Sequence, residues 1–267
     1  MELREQPVIV LMTDFGLDDT FVGQMKGVIL SIAPHARIID LTHAVSPQNI
    51  AQGAFILGKS VPFFPDGSIV VAVVDPGVGT SRCAIAVETA KHIYVAPDNG
   101  LLAAVFLQED VKSCVRITET RFMLPSSSTT FHGRDLFSPV AAHLASGVAV
   151  SGLGCAIAPG ACTMISLPAC TLSDDGRTME GVVIYADHFG NLVTSIEAEM
   201  LDEPERWEVV FGNAYRLPLS LTYGSTAEGK PLAYRGSSGT IEIAVRNGNG
   251  AKTLGLKPGE PVMLKKR

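Results

Sequence analysis

Residues 130–135 bring an imidazole, a glycine, a guanidinium and a carboxylate together within the six-residue stretch TFHGRD. Titratable groups beside a flexible glycine are typical of a site that moves protons or orients a polar ligand. His132 is the titratable group of this stretch, Arg134 its fixed cation and Asp135 its carboxylate. The alternative is a structural loop whose polar side chains only satisfy one another.

Three more polar segments interrupt apolar runs, and each contains an aspartate just before or within a glycine turn: residues 13–16, 74–82 and 186–191. Glycine has no Cβ, so a ligand can approach the backbone beside the carboxylate. Each aspartate can equally be a helix cap or a turn former. Asp75 is the strongest functional candidate, because Pro76 keeps its backbone extended and disfavours a helix cap.

Aspartates and histidines also raise the possibility of a metal site. A divalent ion could be held by Asp14, Asp75, His132 and Asp187. However, the chain has no His-x-His or Asp-x-Asp pair that would offer two of these ligands at short spacing. We therefore expect no metal and no cofactor, and keep a metallohydrolase as the less favoured alternative.

The first half of the chain alternates apolar runs with helical periodicity. Strands are predicted at 8–12, 37–41 and 68–74, with helices from residue 21 to Pro34 and over 48–60. A strand at 93–96, a helix opening at 97–100 and a helix over 135–146 continue the pattern. The order predicts an α/β sheet with parallel crossovers. Ligands bind such sheets beyond the carboxyl ends of the strands, where Asp14 and Asp75 lie.

The second half has a different texture. Strand-like runs at 181–186, 192–196, 207–211, 241–245 and 261–264 alternate with Gly, Asn and Pro turns, and we predict no helix between them. The sequence therefore predicts an α/β protein of two domains. An N-terminal α/β sheet domain occupies residues 1–167, and a smaller, mostly antiparallel β domain occupies residues 168–267.

Composition excludes several classes of protein. The net charge is −6 and the lysines and arginines are scattered, so no nucleic-acid partner is expected. No apolar run approaches the roughly 20 residues of a membrane span, and no secretion signal is recognisable, so we expect no membrane association. The five cysteines match no usual zinc spacing and are expected to be reduced thiols of a cytoplasmic protein.

Taken in order, the motifs resemble those of the S-adenosylmethionine (SAM) hydroxide adenosyltransferases. These are the hydrolase branch of a family that also contains the SAM-dependent fluorinase and chlorinase. The likeness extends over nearly the whole chain. It rests on TDFG at 13–16 with Asp19, GQMKG at 23–27, and residues 74–82, 96–102, 130–137, 187–191 and 234–239.

The resemblance implies hydrolysis of SAM to adenosine and methionine by nucleophilic substitution, with water attacking C5′. It places Asp75, Arg82 and His132 around the attacking water. His132 could accept a proton as the oxygen becomes hydroxide-like, while Asp75 and Arg82 fix its orientation and the local field. A sulfonium is already a good leaving group, so the site must mainly hold the water in line and exclude other solvent. SAM is then a substrate, and no cofactor is implied.

The resemblance also implies a set of substrate-binding residues. Asp14 would hold the ribose hydroxyls, with Asp187 and Ser237 at the methionine end and Phe189 and Asn191 at the adenine. Further contacts around the nucleoside would come from Ser238, Glu242 and Val245. The family pattern implies a homotrimer in which each site lies between the N-terminal domain of one subunit and the C-terminal domain of its neighbour.

Two alternatives remain open at this stage. Halogenases of the family carry a hydroxylated residue where this chain has Gly133, and a neutral residue where it has Asp75. A poorly solvated carboxylate repels halide, so halogenation is the runner-up. A sensor that binds SAM or adenosine without turnover would share the binding contacts, but the intact Asp75, Arg82 and His132 argue against it.

Overall fold

A computed structural model describes residues 6–125, 129–212 and 215–267. The chain divides into two compact units, one ending at Leu167 and the other beginning at Pro168. The first is an α/β unit and the second is mostly antiparallel β, so the predicted fold class is confirmed. No helix in the described ranges is long and apolar enough to cross a bilayer.

The first unit contains a seven-stranded sheet of order β2-β1-β3-β5-β4-β6-β7. Its elements are β1 Val8–Thr13, α1 Phe21–Ile32, β2 Arg37–Thr42, α2 Ile50–Ser60, β3 Ile69–Val73, β4 Ala84–Thr89, β5 Ile93–Pro97, α3 Ala103–Gln108, β6 Val111–Ile117, α4 Ser138–Ala145 and β7 Gly154–Ala156. A π-helical turn, Gly133–Phe137, leads directly into α4. The helix predicted to open at 97–100 begins later, at Ala103. The helix predicted over 135–146 begins with the π-helical turn and continues as α4.

The sheet is mixed rather than wholly parallel. Strands β2, β1, β3 and β5 run parallel, whereas β4, β6 and β7 pair antiparallel with their neighbours. The expectation of parallel crossovers holds only for the first group. The reason is the short connection between β4 and β5, in which Thr89 N donates to His92 O at 2.9 Å. A tight hairpin can join only antiparallel strands.

Helices cover both faces of this sheet. Met25 and Ile29 of α1 and Val140 of α4 pack in one buried cluster with alternate residues of β1 and β3. Leu57 of α2 and Val105 of α3 pack in a second cluster with the intervening residues. All five residues of β3 are buried, as expected of a central strand covered on both sides.

The second unit is built from β8 Thr171–Leu172, β9 Thr178–Ala186, β10 Leu192–Glu197, β11 Trp207–Phe211, β12 Tyr215–Ser220, β13 Pro231–Arg235, β14 Thr240–Val245, α5 Gly250–Leu254 and β15 Pro261–Lys266. The strand order is β10-β14-β13-β12-β11-β15-β9-β8, and pairing of β9 with β10 closes the sheet on itself. All pairings are antiparallel except that of β12 with β13.

Three strands, β8, β12 and β13, and one helix of this unit were not predicted. Strand β12 contains Pro218 and several exposed residues, so its sequence lacks clean alternation. Helix α5 is only five residues long. Its ends are nevertheless well defined, because the Asn249 side chain accepts a hydrogen bond from Lys252 N and Gly255 has a left-handed φ of 70°.

Candidate active site

The sheet places two of the predicted aspartates at one edge. Strands β1 and β3 are parallel neighbours, and Thr13 pairs with Val73 at their carboxyl ends. Asp14 directly follows Thr13, and Asp75 follows Val73 by two residues. Both therefore lie at the edge where ligands of α/β sheets bind.

Arg82, seven residues after Asp75, binds the Asp75 carboxylate through its guanidinium. Its Nε atom donates to both carboxylate oxygens, at 2.9 and 3.0 Å, and Nη2 also donates to Oδ2. The two side chains are only 10% and 5% exposed, so this is a largely buried ion pair. The turn between them needs glycine at position 79, where φ is +78° and an added Cβ would lie 3.3 Å from Thr129 O.

His132 completes the cluster through the same guanidinium. Arg82 Nη2 lies 2.8 Å from His132 Nδ1. Arginine can only donate, so Nδ1 must be an acceptor, and the neutral ring carries its proton on Nε2. Burial lowers the pKa of His132 below its ordinary value and the Arg82 charge lowers it further, while Asp75 and Asp135 act in the opposite direction.

Phe137 supports the guanidinium from within the protein core. The Cζ atom of Arg82 lies 5.4 Å from the centroid of the Phe137 ring, which is fully buried. Phe137 is the last residue of the π-helical turn that begins just after His132. Turns of this kind occur frequently at functional sites, where they re-aim side chains. One short segment thus carries both the imidazole and the ring that holds Arg82.

A cavity of about 120 Å³ opens beside Asp75 and His132. This is enough space for a few ordered water molecules. The sequence had singled out Asp75, His132 and Gly133 but not the apolar wall around them. The cavity is lined by Phe15, Phe21, Val73, Asp75, Val78, Thr130, Phe131, His132 and Gly133.

Asp14 lies outside the residues that line this cavity. Its Oδ2 atom accepts a hydrogen bond of 2.7 Å from the backbone N of Gln48. Gln48 has a φ of 64°, an uncommon left-handed conformation for a residue with a side chain. The contact fixes Asp14 at the sheet edge and leaves its Oδ1 atom with no hydrogen bond from a described residue.

The second unit has a separate pocket of about 600 Å³, lined by Phe189, Asn191, Tyr223, Tyr234, Asn247 and Gly248. Asp187 accepts from Asn191 N at 2.8 Å and from Asn191 Nδ2 at 3.0 Å, which orients the amide. Asn191 is 8% exposed, and its Oδ1 atom has no hydrogen-bond partner among the described residues. The Phe189 ring is 72% exposed.

Glu242 and Val245 do not line this pocket but contact tyrosines that do. Glu242 is buried and accepts from the Tyr234 hydroxyl at 2.7 Å. Burial raises the pKa of Glu242, the Tyr234 hydrogen bond opposes this and the Asp187 charge adds to it. The carbonyl of Val245 accepts from the Tyr223 hydroxyl at 3.3 Å.

The two predicted serines, Ser237 and Ser238, make no such contact with the pocket tyrosines among the described residues. Ser238 Oγ lies 3.1 Å from Thr240 Oγ1, and Ser237 is exposed. Tyr223, Tyr234 and Asn247 were not predicted as site residues, although Tyr234 is the first residue of the motif at 234–239. The two tyrosines do not belong to one periodic run of a helix or a strand, so their sequence positions do not predict that they line one pocket.

Within the described ranges, no group of three or more His, Cys, Asp or Glu side chains lies close enough together to hold a metal ion. The ligand set considered from the sequence, Asp14, Asp75, His132 and Asp187, is therefore not assembled as a metal site within the described residues. Asp75 and His132 instead share Arg82, which is a cation already in place.

Comparison with known proteins agrees with the motifs. Residues 9–154 match the SAM hydroxide adenosyltransferase N-terminal domain, and residues 181–263 match the C-terminal domain. An (R)-S-adenosyl-L-methionine hydrolase of Thermus thermophilus is 38% identical over 263 residues, which are 96% of this chain and 98% of that protein. A fluorinase of Actinopolyspora mzabensis is 28% identical over 291 residues, covering 97% of each chain.

Among solved structures, an uncharacterized conserved protein from Thermotoga maritima superimposes with a TM-score of 0.89 at 32% identity. The match covers 97% of this chain and 100% of that one. The resemblance seen in the motifs is thereby confirmed over both units. The chain belongs to the SAM hydroxide adenosyltransferase family.

Proposed function

We propose that this protein hydrolyses SAM to adenosine and methionine. The observation that carries the proposal is the contact of one guanidinium, that of Arg82, with both Asp75 and His132 beside a small cavity at the sheet edge. Relatives named (R)-S-adenosyl-L-methionine hydrolase, at 38% identity over nearly full length, support it. The fluorinase relatives are less similar.

The reaction is a single displacement. Water held in the cavity attacks C5′, the O–C5′ bond forms, and the C5′–S bond breaks with its electron pair passing to sulfur. Methionine leaves as a neutral thioether, so no acid or metal needs to activate the leaving group. The site contributes chiefly by holding oxygen, carbon and sulfur in line in a space too small for bulk solvent.

His132 acts in this proposal as a hydrogen-bond donor. Its Nδ1 atom is occupied by Arg82, so Nε2–H is the group it can offer to the attacking oxygen. This replaces the proton-accepting role that the sequence suggested. The oxygen of the initial product is a protonated alcohol, far more acidic than water, and needs only an acceptor within reach. Asp75 lines the cavity and retains lone pairs for that proton.

The substrate-binding roles follow the family pattern. The unpartnered Oδ1 atom of Asn191 is an acceptor suited to the amino group of adenine, and the exposed Phe189 ring offers a stacking surface. Glu242 would act through Tyr234, and Val245 through Tyr223, because these tyrosines line the pocket. We propose that the other contacts come from Asp14 at the ribose, Asp187 and Ser237 at the methionine end, and Ser238 beside the nucleoside.

We also propose a homotrimer that works in the cytoplasm without a metal. The family pattern, in which each site draws on two neighbouring subunits, supports the assembly. The small cavity of the first unit supports it too, because SAM needs further contacts beyond that volume. Analytical ultracentrifugation at several protein concentrations tests the assembly, and a monomer that turns SAM over would overturn it.

The decisive experiment is incubation of EDTA-treated protein with SAM in halide-free buffer made with H₂¹⁸O. Adenosine carrying ¹⁸O at its 5′ oxygen, together with unlabelled methionine, is expected, and an Asp75→Asn variant serves as the inactive control. A parallel reaction contains added chloride. Formation of 5′-chloro-5′-deoxyadenosine would identify a halogenase, and SAM that binds without reacting would identify a sensor.

A further inference from the structure

Three phenylalanine rings line the cavity that holds Asp75 and His132: Phe15, Phe21 and Phe131. Their centroids are 5.9, 5.8 and 5.1 Å apart in the pairs 15–21, 15–131 and 21–131. The ring planes are inclined to one another by 61°, 71° and 74°. The rings are therefore in edge-to-face contact with one another and form one aromatic wall of the cavity. A cation within about 6 Å of the face of such a ring is attracted by its quadrupole.

The size of the cavity decides which part of the substrate it can take. Pockets that enclose whole drug-sized ligands measure about 300–1,000 Å³. This one measures about 120 Å³ and therefore has room only for the reacting end of SAM. That end comprises the attacking oxygen, C5′ and the sulfonium with its methyl group. These atoms lie close together because the oxygen attacks C5′ in line with the C5′–S bond.

The chemistry of a sulfonium explains why these rings are phenylalanines. SAM alkylates nucleophiles, so a free carboxylate, thiol or phenolate against the sulfonium would compete with water for the electrophilic carbon. A phenylalanine ring attracts a cation through its quadrupole and has no lone pair to alkylate. Among the residues that line the cavity, Asp75 is the one carboxylate, and Arg82 already neutralises it.

We propose that the aromatic wall of Phe15, Phe21 and Phe131, called the cage from here on, binds the sulfonium and makes the site selective for a cationic ligand over a neutral thioether. The proposal rests on the function proposed above and adds a specificity-determining group to it. Breaking the C5′–S bond removes the positive charge. The cage therefore attracts the substrate and releases the product, and its loss weakens binding more than it slows the chemical step.

Phe21 is the ring best suited to a test. The Arg134 guanidinium lies 5.2 Å from the Phe131 centroid and already engages that ring. Phe15 packs so closely that a Cβ on Gly133 would lie 3.0 Å from its Cε2 atom. Phe21 is 41% exposed at the first position of α1, so its replacement creates no buried cavity.

The test compares Phe21→Leu, which keeps apolar volume, with Phe21→Tyr, which keeps the ring. Both are made in a His132→Ala background so that SAM survives the measurement. Binding of SAM and of S-adenosylhomocysteine, its neutral thioether counterpart, is measured by equilibrium dialysis. We expect Phe21→Leu to weaken SAM binding about three- to tenfold while binding of the thioether changes less than about twofold. Phe21→Tyr should preserve the ratio of the two affinities.

Each outcome bears on the cage separately from hydrolysis. An equal loss of both ligands in Phe21→Leu, or a parent protein that binds the thioether as tightly as SAM, would overturn the cage even if SAM is hydrolysed. A charge-selective loss in Phe21→Leu would support the cage even if the protein with His132 intact proved unable to hydrolyse SAM. The two proposals therefore fail on different measurements.

Discussion

Arg82 Nη2 lies 2.8 Å from His132 Nδ1 while the same guanidinium binds both carboxylate oxygens of Asp75. One fixed cation thereby sets the orientation of the carboxylate and the tautomer of the imidazole. Phe137 holds that cation in place from behind. The geometry of the cluster depends on the shape of the guanidinium as much as on its charge.

Replacing Arg82 with lysine keeps the positive charge but removes the planar guanidinium, whose several N–H groups have a fixed geometry. A lysine ammonium is a point charge that cannot span Asp75 and His132 with the same fixed geometry. We expect kcat to fall at least about 100-fold, with KM for SAM changed less than about tenfold, because the cluster positions the water rather than the ligand. Steady-state kinetics check this. Arg121→Lys, at a 68% exposed side chain, is the matched control and should stay near wild type.

Two substitutions of His132 separate a hydrogen-bond donor from a base. Glutamine places an N–H group near the position of Nε2 but cannot accept a proton at pH 7, whereas alanine provides neither. We expect kcat to fall about 100- to 1,000-fold in His132→Ala, because the attacking water loses a group that holds it in line, and about tenfold in His132→Gln, which keeps an N–H donor. SAM binding should remain within about tenfold in both. If glutamine were as slow as alanine, proton acceptance by His132 would be favoured instead.

The tautomer predicts a pH dependence with a definite sign. The folded pKa of His132 is lowered, so the ring stays neutral at pH values where a free histidine, with a pKa near 6.5, begins to take up a proton. Protonation at Nδ1 would break the Arg82 contact. Activity should therefore be constant around neutral pH and fall only on the acid side of the ordinary histidine range.

The same pKa shift makes a second measurement possible. As the pH falls, His132 takes up a proton in the unfolded chain before it does so in the folded protein, because its folded pKa is lower. The neutral His132 ring therefore contributes to the stability of the fold above about pH 6.5, and this contribution is lost as the pH falls through the folded pKa. Titration of the His132 ring by ¹H–¹⁵N NMR should show Nδ1 unprotonated at neutral pH and a midpoint below the free value. A proton on Nδ1 at neutral pH would contradict the assigned tautomer.

The sequence could reveal the polar half of the candidate site but not its apolar half. Asp75 and His132 stand out because titratable residues in apolar surroundings need a reason, whereas the sequence indicates Arg82 only through the family resemblance. Phe15 and Phe21 do not, since aromatic residues beside a strand end or on an amphipathic helix usually belong to the core. Only the fold shows that they face the same cavity as Asp75.

The fold shows a similar division. The continuous apolar runs of β1 and β3 identified the parallel centre of the first sheet. Strands that are covered on both faces consist almost entirely of apolar residues, and such runs are easily recognised in a sequence. The reversal at β4 is set by the length of one turn, which apolar periodicity does not record. Strand β12 was missed because its pairing with β11 and β13, rather than its own sequence, keeps it extended.

Gly133 gives a prediction that links the site to stability. A Cβ at this position would lie 2.9 Å from Phe131 Cε2, 3.0 Å from Phe15 Cε2 and 3.2 Å from Met25 Sδ. We expect Gly133→Ala to lower the free energy of unfolding by about 1–3 kcal/mol and to reduce turnover, because the rings must shift to admit a methyl group.

The matched control lies on the exposed face of α1. At Gly23 an added Cβ meets no atom within 4 Å, so Gly23→Ala should stabilise the protein by about 0.5–1 kcal/mol through helix propensity alone. Urea unfolding of both variants measures the two effects. Opposite signs are expected because the same methyl group enters a packed aromatic wall in one case and solvent in the other. A Gly133→Ala variant as stable and as active as wild type would show that the rings around the cavity move freely, which is incompatible with a preformed cage.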